Sequence, residues 1–271
     1  AGANTLNMGS AATAVALGAA ATLAVAGTGT ADSLTINRVG TAAEAILGTE
    51  ALTVSGIETI TFNTGSVTNT AQTTGAIGWT PTTTNAGVTL NVTGANALTT
   101  GVITPVGTGR VTIDGSGMTA QAVGTTTLTT VAPVSTSGTV SIVGSSGQDV
   151  LIGDIDNSNT IIGGAGVDTI TGGSAADSLI GGDGIDSITG GGGNDTISGG
   201  EGNDVIVQTV NSAGSMSIDA GAGNDTLTLT GFDLVSSEDI IAGGDGTDTL
   251  TVAVVNATAG AGANVTGWER W

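Results

Sequence analysis

At 271 residues the chain is long enough to bury a sizeable core as one or two domains, yet it has only two Phe, three Trp and no Tyr to fill one. It contains no Cys, His or Lys, so disulfide staples, imidazole bases and thiol or amine nucleophiles are excluded; any catalysis would have to run on carboxylates, hydroxyls or a metal, and the chain reads as a non-enzyme. The formal net charge of −20, with 23 carboxylates against Arg38, Arg110 and Arg270, opposes binding to nucleic acid or to an anionic membrane.

No basic, apolar and small-residue leader opens the chain, so no cleavable signal peptide is expected. No apolar run is long enough to span a bilayer, because the Ala-rich stretch 11–26 is broken by Thr and Gly. Residues 1–142 form the first expected domain, rich in Ala, Thr, Val and Gly. Alternating stretches recur through it: Thr22-Leu23-Ala24-Val25, Thr59-Ile60-Thr61-Phe62, Val88-Thr89-Leu90-Asn91-Val92, Val111-Thr112-Ile113 and Thr139-Val140-Ser141-Ile142-Val143. Bounded by Gly, Asn, Asp or Pro, they predict short half-buried strands joined by turns, arranged as a ladder or a sandwich. A disordered Thr/Ala-rich stalk would not keep that β-branched alternation.

Residues 143–251 form the second expected domain, built on a nine-residue repeat. Five copies of Gly-Gly-x-Gly-x-Asp-x-(Ile/Leu)-x start at Gly163, Gly181, Gly190, Gly199 and Gly243, and near copies start at Gly144, Gly172 and Ala220. Position six is always Asp: Asp149, Asp168, Asp177, Asp186, Asp195, Asp204, Asp225 and Asp248. Position eight is always Leu151, Ile170, Leu179, Ile188, Ile197, Ile206, Leu227 or Leu250. A merely solvated Gly/Asp linker has no reason to keep an aliphatic residue two places after each Asp.

The chemistry follows from the residue types. Glycines at positions one, two and four (Gly163, Gly164 and Gly166; Gly172 and Gly173; Gly181, Gly182 and Gly184; Gly190, Gly191 and Gly193; Gly199, Gly200 and Gly202; Gly221 and Gly223; Gly243, Gly244 and Gly246) allow carbonyl oxygens to turn toward one centre, and the Asp adds a charged oxygen. Oxygen-only, flexible coordination in a chain without His or Cys is Ca2+ chemistry, with several ions expected. The remaining x-(Ile/Leu)-x makes a short strand with its middle side chain inward, and successive strands alternate between two sheets. Two nonapeptides then complete one coil. Loops eighteen residues apart stack, which pairs Asp168 with Asp186, Asp186 with Asp204, and Asp177 with Asp195. The fold class is all-β, a parallel β-roll with a β-rich flank.

Irregularities mark particular sites. Gly153 to Ile162 is an expanded repeat of ten residues whose Asp154 and Asp156 are candidate Ca2+ ligands; its resemblance to an EF-hand fails at Asn159 and Ala165. Ala175 in place of glycine at position four should strain its turn while leaving Asp177 in place. The acids at position three, Asp183, Glu201 and Asp245, should face solvent. The period fails over 208–219 and 229–242, expected as protruding loops or added strands, and this sets Asp225 and Asp248 apart from the unbroken run 163–204.

A longer repeat links the two ends. An Asp turn containing Asp32 leads into Val54-Ser55-Gly56-Ile57-Glu58, and one containing Asp248 leads into Val265-Thr266-Gly267-Trp268-Glu269. Asp32 thereby joins the candidate metal residues, and Glu58 and Glu269 either bind an ion or satisfy backbone amides. By this analogy 252–271 begins a further β-unit that should continue past Trp271.

The stretch from Gly144 to Thr251 resembles the RTX family of bacterial secreted proteins, and the five complete motifs carry that resemblance. It implies a calcium-filled β-roll and type I secretion. The Ala/Thr/Val/Gly-rich flanks and the Gly-Ile-Glu-Thr-Ile and Gly-Trp-Glu-Arg-Trp strands are similar to RTX-bearing surface-layer proteins. The expected function is an extracellular, calcium-dependent, self-assembling surface layer or polymer, whose partners are copies of itself and a cell-surface polysaccharide. A calcium-stiffened adhesin or biofilm-matrix protein, and the carrier region of a secreted enzyme or toxin, are the alternatives.

Overall fold

Strands of four to eight residues in which a β-branched or aliphatic side chain alternates with Thr, Ser or Asn can bury one face only, so each needs a sheet neighbour and a second sheet to cover it. The computed structural model describes residues 3–8, 23–26, 32–38, 52–55, 57–64, 72–73, 77–80, 87–95, 98–105, 109–118, 128–131, 138–210, 215–231, 238–254 and 264–269, and it meets that need with parallel sheets. There is no helix among the described residues. The chain divides into two compact units, Ala1–Val150 and Leu151–Trp271.

In the first unit one sheet runs Ala3–Met8, Ser33–Arg38, Thr59–Asn63, Val88–Gly94, Val111–Met118 and Val140–Val143, each strand hydrogen-bonded to the next. The other runs Leu23–Ala26, Leu52–Ser55, Ile77–Thr80, Leu98–Pro105 and Leu128–Val131. Every pairing is parallel, so the flank is a ladder rather than an antiparallel sandwich. A strand pairs with the next but one because the intervening strand serves as its crossover. Inward residues stack in register, Leu34 on Ile60 on Leu90 on Ile113 on Ile142, with Ile36, Phe62 and Val92 beside them. All of these are buried.

The second unit is the β-roll. Its first sheet runs Asn159–Ala165, Ser178–Asp183, Thr196–Glu201, Ser217–Gly223, Ile240–Ala242 and Asn264–Thr266; its second runs Val150–Ile152, Thr169–Gly173, Ser187–Gly191, Val205–Val210, Thr226–Gly231 and Thr249–Val254. Position eight faces inward throughout. Ile170, Ile188, Ile206, Leu227 and Leu250 form one buried column, and Ile161, Leu179, Ile197, Ile218 and Ile241 form the other. Each fully buried aliphatic side chain contributes about 1.5–3 kcal/mol. Three of these rungs, Ile161, Ile218 and Ile241, lie outside the recognisable motifs.

The two breaks in the period fall on the same corner of the roll. The corner from the second sheet back to the first carries both: Val205–Val210 runs on past the motif, and the first sheet resumes at Ser217 and again at Ile240. The opposite corner is undisturbed, since Gly200 pairs with Gly221 and Ala222 with Asp245. Residues 211–214 and 232–237 of the breaks, residues 27–31 of the Asp32 turn, and Arg270 and Trp271 lie outside the described residues.

Candidate metal centre

A backbone ladder cannot continue through a tight corner, so the corner amides need another acceptor. Position six supplies it. The N–H of Asp168 donates to Oδ1 of Asp186, that of Asp186 to Asp204, that of Asp204 to Asp225 and that of Asp225 to Asp248, each at 2.8 Å. The N–H of Asp248 donates to Oε2 of Glu269 at 2.7 Å. The Asp carbonyl in turn accepts from the next coil, as Ser187 N–H does to Asp168 at 2.8 Å. This column spans chain separations of 18, 21 and 23 residues without losing register. Asp225 and Asp248, set apart by the sequence, therefore stand in one stack with Asp168, Asp186 and Asp204.

The opposite corner forms a second column. Asn159 N–H donates to Oδ1 of Asp177 at 2.7 Å, Asp177 N–H to Oδ1 of Asp195 at 2.8 Å, and Met216 N–H to Oδ1 of Asp239 at 2.9 Å. Ser217 N–H reaches the Asp195 carbonyl, which puts Met216 in the position-six place above Asp195. Asn159, Met216 and Asp239 were not legible as position-six residues, since an Asn, a Met and an isolated Asp without glycines carry no motif. Only the aliphatic residue two places on, Ile161, Ile218 or Ile241, marks them.

The expanded loop is organised around Asn159. Its Nδ2 donates to the carbonyls of Asp154 and Asn157 at 2.9 and 2.8 Å and to Asp177 Oδ1 at 2.9 Å. Asp154 is buried and accepts the Asp156 N–H at 2.9 Å through Oδ1, while Asp156 is exposed. The next loop follows this wider path, with Ser174 N–H on the Ile155 carbonyl at 2.7 Å. Gly173 is absent from the left-handed glycines, unlike position two in Gly164, Gly182 and Gly200. Asp183, Glu201 and Asp245 are exposed.

Two candidates lie in the first unit. Asp149 is buried and accepts from the N–H and Oγ of Ser145. Asp32 is buried, and its N–H donates to Glu58 Oε2 at 2.9 Å while Glu58 N–H donates to its carbonyl at 3.0 Å. Asp248 and Glu269 repeat that exchange, so the long-range echo between the two ends is one local device. In both copies the Glu carboxylate satisfies the backbone amide of the Asp.

The position-six carboxylates of the second unit are at most 4% exposed. Their second oxygens are the decisive atoms. Oδ2 of Asp177, Asp186, Asp204, Asp225 and Asp248 is buried with no hydrogen-bond partner. Those of Asp177, Asp186, Asp204 and Asp248 point at the position-one glycine of their own repeat, into a space where a backbone carbonyl of the next coil also stands. At Gly163 the place a Cβ would take lies 2.5 Å from Asp168 Oδ2 and 2.5 Å from the Gly181 carbonyl oxygen. Burial, helped by neighbouring carboxylates and opposed by hydrogen bonds to the carboxyl oxygens, raises the carboxyls of Asp177, Asp204 and Asp225 to about 6. Burial likewise raises Asp186 and Asp195. Buried, uncompensated anionic oxygens in register require a counter-charge. Among the described residues no three acidic side chains gather at one point, so an ion would be surrounded mainly by carbonyl oxygens with the Asp side chains of the stacked loops. That donor set fits a hard, flexible cation.

The family described as RTX calcium-binding nonapeptide repeat matches residues 143–179, 156–188, 171–206, 217–232 and 236–252. The second unit is an RTX calcium-binding repeat array. RTX nonapeptides bind Ca2+ at multiple sites, and proteins that carry them are typically secreted. No curated protein and no solved structure matches the chain. When bound, Ca2+ supplies the positive charge that the RTX columns lack. Asp168, Asp177, Asp186, Asp204, Asp225 and Asp248 would hold it through Oδ2, with the position-one carbonyls of the following coils. The same residues keep Oδ1 on the corner amides, so one carboxylate couples ion binding to coil stacking.

Protons should compete with Ca2+ for these carboxylates. In the calcium-free roll Asp177, Asp204 and Asp225 titrate near 6 against 3.8 for the ordinary group, so the folded form binds more protons and this contribution is fully present below pH 3.8 and is lost as pH rises through about 6. Calcium-free protein should therefore gain β-structure on going from about pH 7 to about pH 5, and the calcium needed for folding should fall over the same interval, because protons already neutralise part of each column. Circular dichroism titrations at the two pH values check both signs, and structure lost on acidification without calcium would contradict them.

Proposed function

We propose that this chain is part of an extracellular structural protein, a calcium-dependent self-assembling surface layer or surface polymer. The observation that carries this reading is the pair of buried Asp columns, whose folding is conditional on a cation that extracellular modules bind at about 10⁻⁴–10⁻³ M. Such a chain stays loose where calcium is scarce and sets outside the cell, as metal-binding energy becomes folding energy. The side-chain inventory points the same way, since neither His, Cys, Lys nor Tyr is available to run a reaction. Its partners in this reading are further copies of the chain and a cell-surface polysaccharide, and type I export is the matching route.

Negative-stain electron microscopy of the purified chain with and without calcium tests the assembly. Ordered sheets or filaments that dissolve on chelation are expected. Isolated particles at saturating calcium would overturn assembly in favour of an adhesin-like stalk or a carrier region.

A further inference from the structure

The second column changes character after Asp195. Gly190 is position one of its loop, and the residue eighteen places on, where a glycine would open the next nonapeptide, is Gln208. Gln208 is fully buried, with its backbone opposite Gly191 across a register shift that follows Thr189. At the neighbouring position-one glycines, the space a Cβ would fill is shared by the repeat's own Asp Oδ2 and by the position-one backbone carbonyl of the next coil. Asp177 and Gly190 share it at Gly172, and Asp186 and Gly199 share it at Gly181. At Gly190 the carbonyl's place is taken by the side-chain Oε1 of Gln208, next to Asp195 Oδ2.

The other end of the same amide faces the carboxylate. Nε2 of Gln208 donates to Asp195 Oδ2 at 2.8 Å, with longer contacts to the carbonyls of Gly191 and Thr209. Asp195 Oδ2 thus has a donor where the corresponding oxygens of Asp177, Asp186, Asp204, Asp225 and Asp248 have none. Oε1 of Gln208 is itself buried without a hydrogen-bond partner, so the amide is oriented by Asp195 rather than by its own needs.

We propose that Gln208 terminates the second calcium series. Its amide occupies both the place of the next loop's carbonyl and the place of the cation at Asp195, so calcium uptake on that corner stops at the Asp177–Asp195 step. A neutral donor stabilises the last carboxylate of the glycine-bearing repeats on that corner without a metal, ahead of the interruption that follows. The proposal rests on the calcium reading of the loops.

Calcium titration calorimetry on the whole chain counts the ions, and melting in millimolar calcium reports the cap. Gln208→Glu puts a second carboxylate opposite Asp195. It is expected to bind one more calcium ion than the parent and to melt at or above the parent's temperature when calcium is saturating. An unchanged ion count overturns the proposal. Gln208→Met, similar in shape but without a donor, covers the case in which the glutamate variant does not fold. It is expected to keep the parent's ion count and to melt roughly 2–10 °C lower, because a buried carboxylate oxygen loses its partner. A methionine variant as stable as the parent overturns the proposal. A parent that takes up no calcium would instead overturn the calcium reading of the loops, while the melting of Gln208→Met would still decide whether the amide holds Asp195.

Discussion

Withdrawing calcium is expected to cost the second unit its fold, seen as a change from β to coil in far-ultraviolet circular dichroism that millimolar calcium reverses and magnesium does not. Five Asp-to-Asp steps stack in the described roll, four in one column and one in the other. An ion held at ten- to a hundred-fold above its dissociation constant adds about 1.4–2.7 kcal/mol, so five together supply roughly 7–13 kcal/mol. That equals the whole stability of an ordinary domain, about 5–15 kcal/mol. Without the ions the buried Oδ2 atoms repel one another along each column. Magnesium demands a small octahedron and sheds its water reluctantly, so a carbonyl-rich cage should not accept it. A β spectrum of the roll that ignores a chelator would sink this account of the site.

Gly184→Ala is expected to destabilise the calcium-loaded roll by about 3–5 kcal/mol and to raise the calcium concentration needed for folding several-fold. Gly184 sits at φ +141°, a conformation that side chains rarely adopt, and a Cβ there would collide with the Gly166 carbonyl oxygen of the coil below. Relief would have to come from separating the coils. That would lengthen the 2.7 Å bond from Gly166 N–H to the Asp183 carbonyl and the 2.8 Å bond from Asp168 to Asp186. The neighbouring Ile185 is 52% exposed, so Ile185→Ala should stay within about 0.5 kcal/mol of the parent. Thermal melts of the two variants in calcium make the comparison. Equal melting temperatures would mean that the coils are not packed on their position-four glycines.

Most of the roll was legible because its constraints are local. A carboxylate needs glycines before it to turn the corner, and an aliphatic residue two places later must face inward. Those demands recur every nine residues and leave the motif in the chain, together with the pairings of Asp168 with Asp186 and Asp177 with Asp195. The residues that escaped meet the same demands with different chemistry. Asn159 presents an amide in place of the carboxylate, Met216 fills the corner with an apolar side chain, and Asp239 keeps the carboxylate without the glycines. Glu58 and Glu269 could be read as ligands or as amide partners until their oxygens were seen on Asp32 and Asp248.

The sequence by itself determined the element type, the eighteen-residue coil, the inward column of Ile and Leu, and the oxygen-only chemistry that points to calcium, because each depends on residues within one repeat. Tertiary structure alone decided which corner absorbs the interruptions. Both fall where the second sheet returns to the first, so the opposite column passes them undisturbed, and Asp225 and Asp248 rejoin Asp204 across 21 and 23 residues. The reason is that register in a solenoid is set by pairing between coils, at separations that grow with every insertion. A period read along the chain stops at the first residue that breaks it, whereas a hydrogen bond from one coil to the next does not depend on how many residues lie between.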